Sequence, residues 1–407
     1  MLGKFQIRTD LALEAKEICE EMAAASRPQL AAEDAVREKN TAWGRDESAR
    51  EENTAWGRDE SVQEKNAAWK RDKSAWEKNA SGEPDKSVQE KNASGKRGKP
   101  TQEKNAARKH NKAAQLRGVK VEEEADEERE IYTTTVTIET ENGAKAMGKP
   151  VGTYITIEAP NMSEPDEDYH REISRELAKH LNHLTDGRKD SVLVVGLGNR
   201  EVTPDALGPD VVNNLRITRH MIKEYGRLPS GIEAAGEISA IVPGVMAQTG
   251  METLEIIRGV VEETKPGIVV VVDALAARST KRLNRTIQVT DTGINPGSGV
   301  GNHRDAINKE TLGVPVIAVG VPTVVDAATI VNDTMEELVA EMDRSDSMRM
   351  LGGTLGTLDQ AEKHEMIHNL ISPHLNTMFV TPKDIDETVK YLSYTISEAL
   401  NMTFAAD

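Results

Sequence analysis

The chain has 407 residues, one cysteine (Cys19), 37% hydrophobic residues and a formal net charge of −17 at pH 7. A single thiol excludes an internal disulfide and fits a reducing compartment. The acidic balance argues against non-specific nucleic-acid binding by the chain as a whole, and no apolar run reaches the roughly 18 residues of a membrane span.

In chain order, the first stretch of interest is "RTDLALEAKE" (8–17), which sets a carboxylate, a large apolar residue, a small residue and a second carboxylate at Asp10, Leu11, Ala12 and Glu14. It lacks the apolar h-region of a cleavable leader. On its own it reads as the first turn of an amphipathic helix, with Leu11, Leu13 and Ile18 on one side.

Residues 38–112 repeat with a 13-residue period that begins at Glu38, Glu51, Glu64, Glu77, Glu90 and Glu103. All four tryptophans (Trp43, Trp56, Trp69, Trp76) lie here, among Glu, Lys, Asn, Asp, Arg and Ser. The period is shorter than the roughly 20 to 50 residues of packed solenoids. With one Trp or none per unit, the segment cannot bury enough apolar surface to offset its ordering entropy. It is expected to be a disordered insert across 38–117, dispensable for chemistry. The expected organisation is then 1–10, 11–37, the insert 38–117 and an α/β domain over 118–407.

"IYTTTVTIET" (131–140) and "VGTYITIEAP" (151–160) alternate as half-buried strands and suggest a small β-hairpin region, followed by a charged helix over 168–183. Short, fully apolar runs come next at 191–199, 237–244, 267–278 and 314–323, as buried parallel strands require. Helical patterns separate them. One places Val211, Leu215, Ile222 and Tyr225 near one face after Pro209, and another places Leu254, Ile257 and Val261. The expected fold is a doubly wound α/β domain with a mostly parallel sheet and its site at the carboxyl ends of the strands.

Two carboxylates stand at such ends. Asp205 lies in the Gly- and Pro-rich stretch "GLGNREVTPDALGPD" after the first apolar run, and Asp273 ends "VVVVD" in the third. A partly desolvated carboxylate has a raised pKa suited to proton transfer, and a convergent pair could activate water while polarising a carbonyl. Each could equally be a helix cap or turn residue. The loop "TGINPGSGVGNHR" (292–304) lacks both common phosphate-loop spacings. The backbone N–H groups of Gly198 and Asn199, or of Gly297, Gly299 and Gly301, could instead hold a peptide oxygen as it becomes an oxyanion. "HEMIH" fits H-E-x-x-H, with His364 and His368 one helical turn apart, Glu365 as base and Glu387 as a third ligand. A zinc metallopeptidase is therefore the rival reading.

With these residues in view, the chain resembles the germination proteases of spore-forming bacteria, a self-processing endopeptidase family. The resemblance covers residues 7–19 and about 118–407, through "RTDLALEA", "VVGLGNREVTPDALGPDVVNNLRITRH", "AIVPGVMAQTGMET", "DALAARS", "PGSGVGN", "GVPTVVDA" and "VTPKDID". It implies a fold like that of hydrogenase-maturation endopeptidases and catalytic aspartates at Asp205 and Asp273. It implies small acid-soluble spore proteins as substrates, cut between an acidic and a large apolar residue ahead of Ala. "TDLALE" (9–14) carries that pattern, so residues 1–10 would be a propeptide severed between Asp10 and Leu11. The resemblance further implies a zymogen, a homotetramer and a cytoplasmic site in the forespore or spore core, with no membrane and no direct nucleic-acid partner. Family members carry His where this chain has Asn295, and His303 is the nearest histidine. That departure favours a mechanism without a metal or other cofactor, and it leaves "HEMIH" outside the family motifs.

Overall fold

The computed structural model describes residues 118–187, 191–226, 236–298, 304–344 and 378–405. The expected propeptide junction at Asp10 and Leu11, the repeat insert, Gly299, Gly301, His303 and the "HEMIH" residues lie outside them. Among the described residues no helix is long and apolar enough to cross a membrane.

Among the described residues nine strands form one sheet: β1 (Val119–Asp126), β2 (Ile131–Ile138), β3 (Gly152–Glu158), β4 (Ser191–Gly196), β5 (Glu237–Ile241), β6 (Ile268–Ala277), β7 (Thr286–Thr290), β8 (Val316–Asp326) and β9 (Phe379–Val380). Their order is β1-β2-β3-β7-β8-β6-β4-β5, with β9 paired to β8. The four runs expected as parallel strands are β4, β5, β6 and β8, and they pair in parallel with one another. The hairpin region extends the same sheet: β1, β2, β3 and β7 run antiparallel to their neighbours, and β7 meets β8 at the junction of the two halves. The sheet is therefore mixed, with its parallel half where the buried apolar runs are.

Helices α1 (Glu141–Met147), α2 (Glu167–Leu184), α3 (Leu207–Asn213), α4 (Arg219–Tyr225), α5 (Met246–Thr249), α6 (Thr253–Thr264), α7 (Lys309–Leu312), α8 (Ala327–Arg344) and α9 (Ile385–Phe404) flank it. The start of α2 has a clear local cause. The Asp166 side chain accepts the Tyr169 N–H at 3.0 Å, and Glu167 and Asp168 face the positive end of the helix dipole. Ile173, Leu177 and Leu181, spaced by four, are then fully buried.

Alternation along the strands divides the core in two. Val192 and Val194 of β4, Val270 and Val272 of β6, Val319 and Val321 of β8 and Ile155 and Ile157 of β3 face α2, α3 and α9. Leu193, Val195, Val269 and Val271 face the other way, toward Leu254, Ile257 and Val261 of α6. On that second face a separate small cluster gathers Val136, Ile138, Tyr154 and Met147 of α1 at the antiparallel end. The first face is sealed along its length. The second is covered at its two ends and polar between them, where Thr156, Asp273, Gln288 and Thr290 are buried.

The segment after Pro209 departs from expectation. It is two helices, α3 and α4; Val211 is buried, whereas Tyr225 is 71% exposed. The break has a cause at Thr218, whose hydroxyl donates to the Gly236 carbonyl at 2.7 Å and accepts the Ile238 N–H at 2.9 Å. Tying the chain to the start of β5 stops α3 from continuing into α4.

Candidate active site

From β4 the chain moves outward to β5 and then returns past β4 to β6 on its other side. The carboxyl ends of β4 and β6 thus form a switch point, where an open α/β sheet leaves a crevice. Asp205 follows β4 there, and Asp273 lies one residue past the last pairing of β4 with β6, Gly196 with Val272.

Asp205 closes a 3₁₀ turn (Thr203–Asp205) between β4 and α3. Its Oδ2 accepts the Asn199 N–H at 2.8 Å. The Asn199 side-chain oxygen accepts in turn from the Glu201 N–H at 3.0 Å and from Gln248 Nε2 at 3.1 Å. From β8, the buried Thr323 hydroxyl donates to the Pro204 carbonyl at 2.6 Å. Two glycines let the turn come this close. At Gly198, with φ +114°, a Cβ would lie 1.9 Å from the Asp205 carbonyl oxygen, and at Gly208 it would lie 2.4 Å from the Leu197 oxygen.

Asp273 lies within β6, opposite Gly320 of β8, and the strand continues beyond it to Ala277. It is 7% exposed. Burial, then the charge of Asp205, push its pKa up to about 7 against the opposing Ala274 N–H. Burial also raises Asp205, partly offset by the Asn199 N–H. Asp273 therefore holds its proton up into the neutral range. One oxygen can take a proton from water while another gives one to a carbonyl.

Both carboxyls line a cleft of about 870 Å³. Its floor is the polar middle of the second face, with Gln288 and Thr290 of β7, and its far wall includes Asn295, Gly297 and Arg304. Arg304 reaches Glu252 at 3.2 Å. Of the expected oxyanion donors, the Asn199 N–H already holds Asp205, and Gly198 packs behind that residue. Gly297 reaches the cleft with φ +70°. Glu387, the expected third zinc ligand, is exposed near the start of α9, and no group of three metal-ligating side chains gathers among the described residues. Sequence pattern alone does not mark Gln288, Thr323 or Gln248 as cleft or turn residues. For Gln288 the sequence offers only one amide between Ile287 and Val289, in a run alternating as a strand.

Residues 97–351 match the model of the germination protease family. Among curated proteins, the chain is 49% identical over 290 residues to the germination protease of Caldanaerobacter subterraneus subsp. tengcongensis, covering 71% of this chain and 88% of that one. It is 46% identical over 291 residues to a Clostridium perfringens germination protease, with the same two coverages. Against the Bacillus mycoides germination protease it is 40% identical over 323 residues, covering 70% and 86%. Among solved structures, a NiFe hydrogenase maturation protease, HycI from Thermococcus kodakarensis KOD1, aligns at 19% identity and a TM-score of 0.23, over 41% of this chain and 99% of that one. With the family model spanning more than half of the chain and relatives matched over most of their length, the chain belongs to the germination protease family and is a peptidase.

Proposed function

We propose that this peptidase is an endopeptidase that starts the degradation of small acid-soluble spore proteins at germination, and that Asp205 and Asp273 carry the hydrolysis. The observation behind this is the convergence of two carboxyls on one cleft at the switch point, with Asp205 oriented by the Asn199 N–H and Asp273 buried so that its pKa is pushed up to about 7. Asp205, oriented by the Asn199 N–H, takes a proton from water as the water oxygen bonds to the peptide carbonyl carbon. Asp273 gives its proton to the carbonyl oxygen, forming a neutral tetrahedral intermediate. When that intermediate collapses, the C–N bond breaks, the hydroxyl proton returns to Asp273, and the proton held by Asp205 passes to the leaving amine.

The enzyme is made as a zymogen that cuts itself between Asp10 and Leu11. "TDLALE" supports this, because an attached copy of the substrate pattern sits at high effective concentration. The reading includes a homotetramer in the spore core, acting on proteins without a membrane or direct nucleic-acid contact. It requires no metal, in keeping with Asn295 in the cleft wall.

The test uses the full chain. Asp205→Asn and Asp273→Asn should each slow appearance of the Leu11 amino terminus, followed by mass spectrometry, by about 100-fold or more. Leu11→Asp should block the same cut. An active Asp205→Asn beside an inactive Glu365→Gln and an inactive, zinc-depleted His364→Ala would overturn the assignment in favour of the zinc reading.

A further inference from the structure

The floor of the cleft holds a polar group that neither the fold nor the two-aspartate chemistry uses. Gln288 is 2% exposed, and neither its amide oxygen nor its amide nitrogen has a hydrogen-bond partner among the described residues. Four buried side-chain atoms are orphaned in this way among those residues, and two of them belong to this one amide. A buried amide left unpaired destabilises the free protein, so its retention needs a reason outside folding. Its neighbour on the same face, Thr290, is already engaged, with its hydroxyl 2.9 Å from that of Thr292.

The strand register places this amide in line with the chemistry. Gln288 pairs with Gly320 across β7 and β8, and Gly320 pairs with Asp273 across β8 and β6. Residues paired in register share a face of the sheet, so Gln288 and Asp273 point into the same cleft with a glycine between them. Two strand spacings separate them by roughly 10 Å. An extended peptide advances roughly 3.3 Å per residue, so the two groups are about three residues apart along a bound substrate.

We propose that Gln288 is the substrate-positioning residue of the cleft floor: its amide oxygen accepts a backbone N–H and its amide nitrogen donates to a backbone carbonyl of the bound peptide, about three residues from the bond cut at Asp273. A primary amide carries one acceptor and two donors, which matches the backbone of an extended chain of any sequence. The proposal rests on the two-aspartate reading for the position of the scissile bond.

The test combines Gln288→Met, close in shape but without the amide, with a synthetic peptide copying residues 5–16, all in the full chain. Gln288→Met is expected to raise KM about tenfold with kcat changed less than about threefold, and to raise the melting temperature because an unpaired buried amide is gone. A purely structural glutamine gives the opposite pattern, with a lowered melting temperature and an unchanged KM, and that result would overturn the proposal. Binding of the same peptide, measured by calorimetry in the Asp273→Asn background, should weaken about tenfold when Gln288→Met is added. An undiminished affinity there sinks the role of Gln288. Turnover that survives in Asp273→Asn sinks the two-aspartate reading instead, so the two failures are told apart.

Discussion

The two faces of the sheet show how one scaffold separates stability from chemistry. On the first face α2, α3 and α9 cover β3, β7, β8, β6 and β4 with Leu, Ile, Val and Phe side chains that are almost wholly buried. Where a polar group enters that face it is satisfied: His170 on α2 joins Thr395 of α9 at 2.7 Å and the Glu164 carbonyl at 2.9 Å. On the second face the cover stops short of the middle, and the strands there carry Asp273, Gln288 and Thr290 in place of valines. An apolar face with satisfied polar groups, set against a face that buries an aspartate together with an amide that is unpaired among the described residues, is what a fold looks like when its stability is concentrated on one side.

Changes on the sealed face should break the fold first. Phe404→Ala empties a fully buried site at the end of α9. It should cost about 3–5 kcal/mol, seen as a lower denaturant midpoint, with activity per folded molecule retained. Unchanged stability would show that α9 is not part of the core.

Changes on the open face should do the reverse. The folded-state pKa of Asp273, about 7, lies above its ordinary value of 3.8. Its proton therefore stabilises the fold fully below about pH 4, and that contribution is lost as pH rises through about 7. The loss is up to about 4 kcal/mol. Asp273→Asn should flatten this slope, so the variant is expected to be more stable than the wild type at pH 8 and inactive. In the wild type kcat/KM should fall on the acid side as Asp205 takes a proton and again above about pH 7 as Asp273 loses one. A rate that keeps rising beyond pH 8 would contradict the acid role of Asp273.

Smaller effects sharpen the contrast at the turn that carries Asp205. Gly198→Ala forces a Cβ against the Asp205 carbonyl at a left-handed φ. It should cost about 2 kcal/mol and displace the carboxylate, lowering kcat more than the melting temperature suggests. Thr323→Val removes the hydroxyl donor to Pro204, and about 1 kcal/mol together with a several-fold lower kcat is expected. A fully active Thr323→Val would show that the turn needs no support from β8.

The parallel half of the fold was legible because burial on both faces leaves a plain mark. "VLVV", "IVVVVD" and "VIAVGV" have no polar interruption, and β4, β6 and β8 fall within two or three residues of the runs read from them. Helix α9 is as deeply buried, yet its sequence does not show it, because Thr388, Ser393, Thr395, Ser397 and Thr403 sit inside it. The hydroxyls of Ser393, Thr395, Ser397 and Thr403 donate to carbonyls one turn back, as from Thr395 to Tyr391 and from Thr403 to Ala399, so burial there does not read as hydropathy. Strand β7 is five residues long and polar at alternate positions, and it too escaped notice. Asp205 and Asp273 could be picked out by their place after apolar runs. Their convergence depends on β6 returning beside β4, a long-range pairing that local sequence does not encode. Gln288 joins them only through the register of β7 on β8.

Asp273 is expected to hold its proton up into the neutral range because it is buried beside Asp205. Carbon NMR of aspartate-labelled protein can titrate the Asp273 carboxyl itself, with its resonance assigned through its loss in Asp273→Asn. A midpoint of about 7 that falls when Asp205 is replaced by Asn is the expected result. A midpoint near 3.8, or one that ignores the loss of Asp205, would contradict the account.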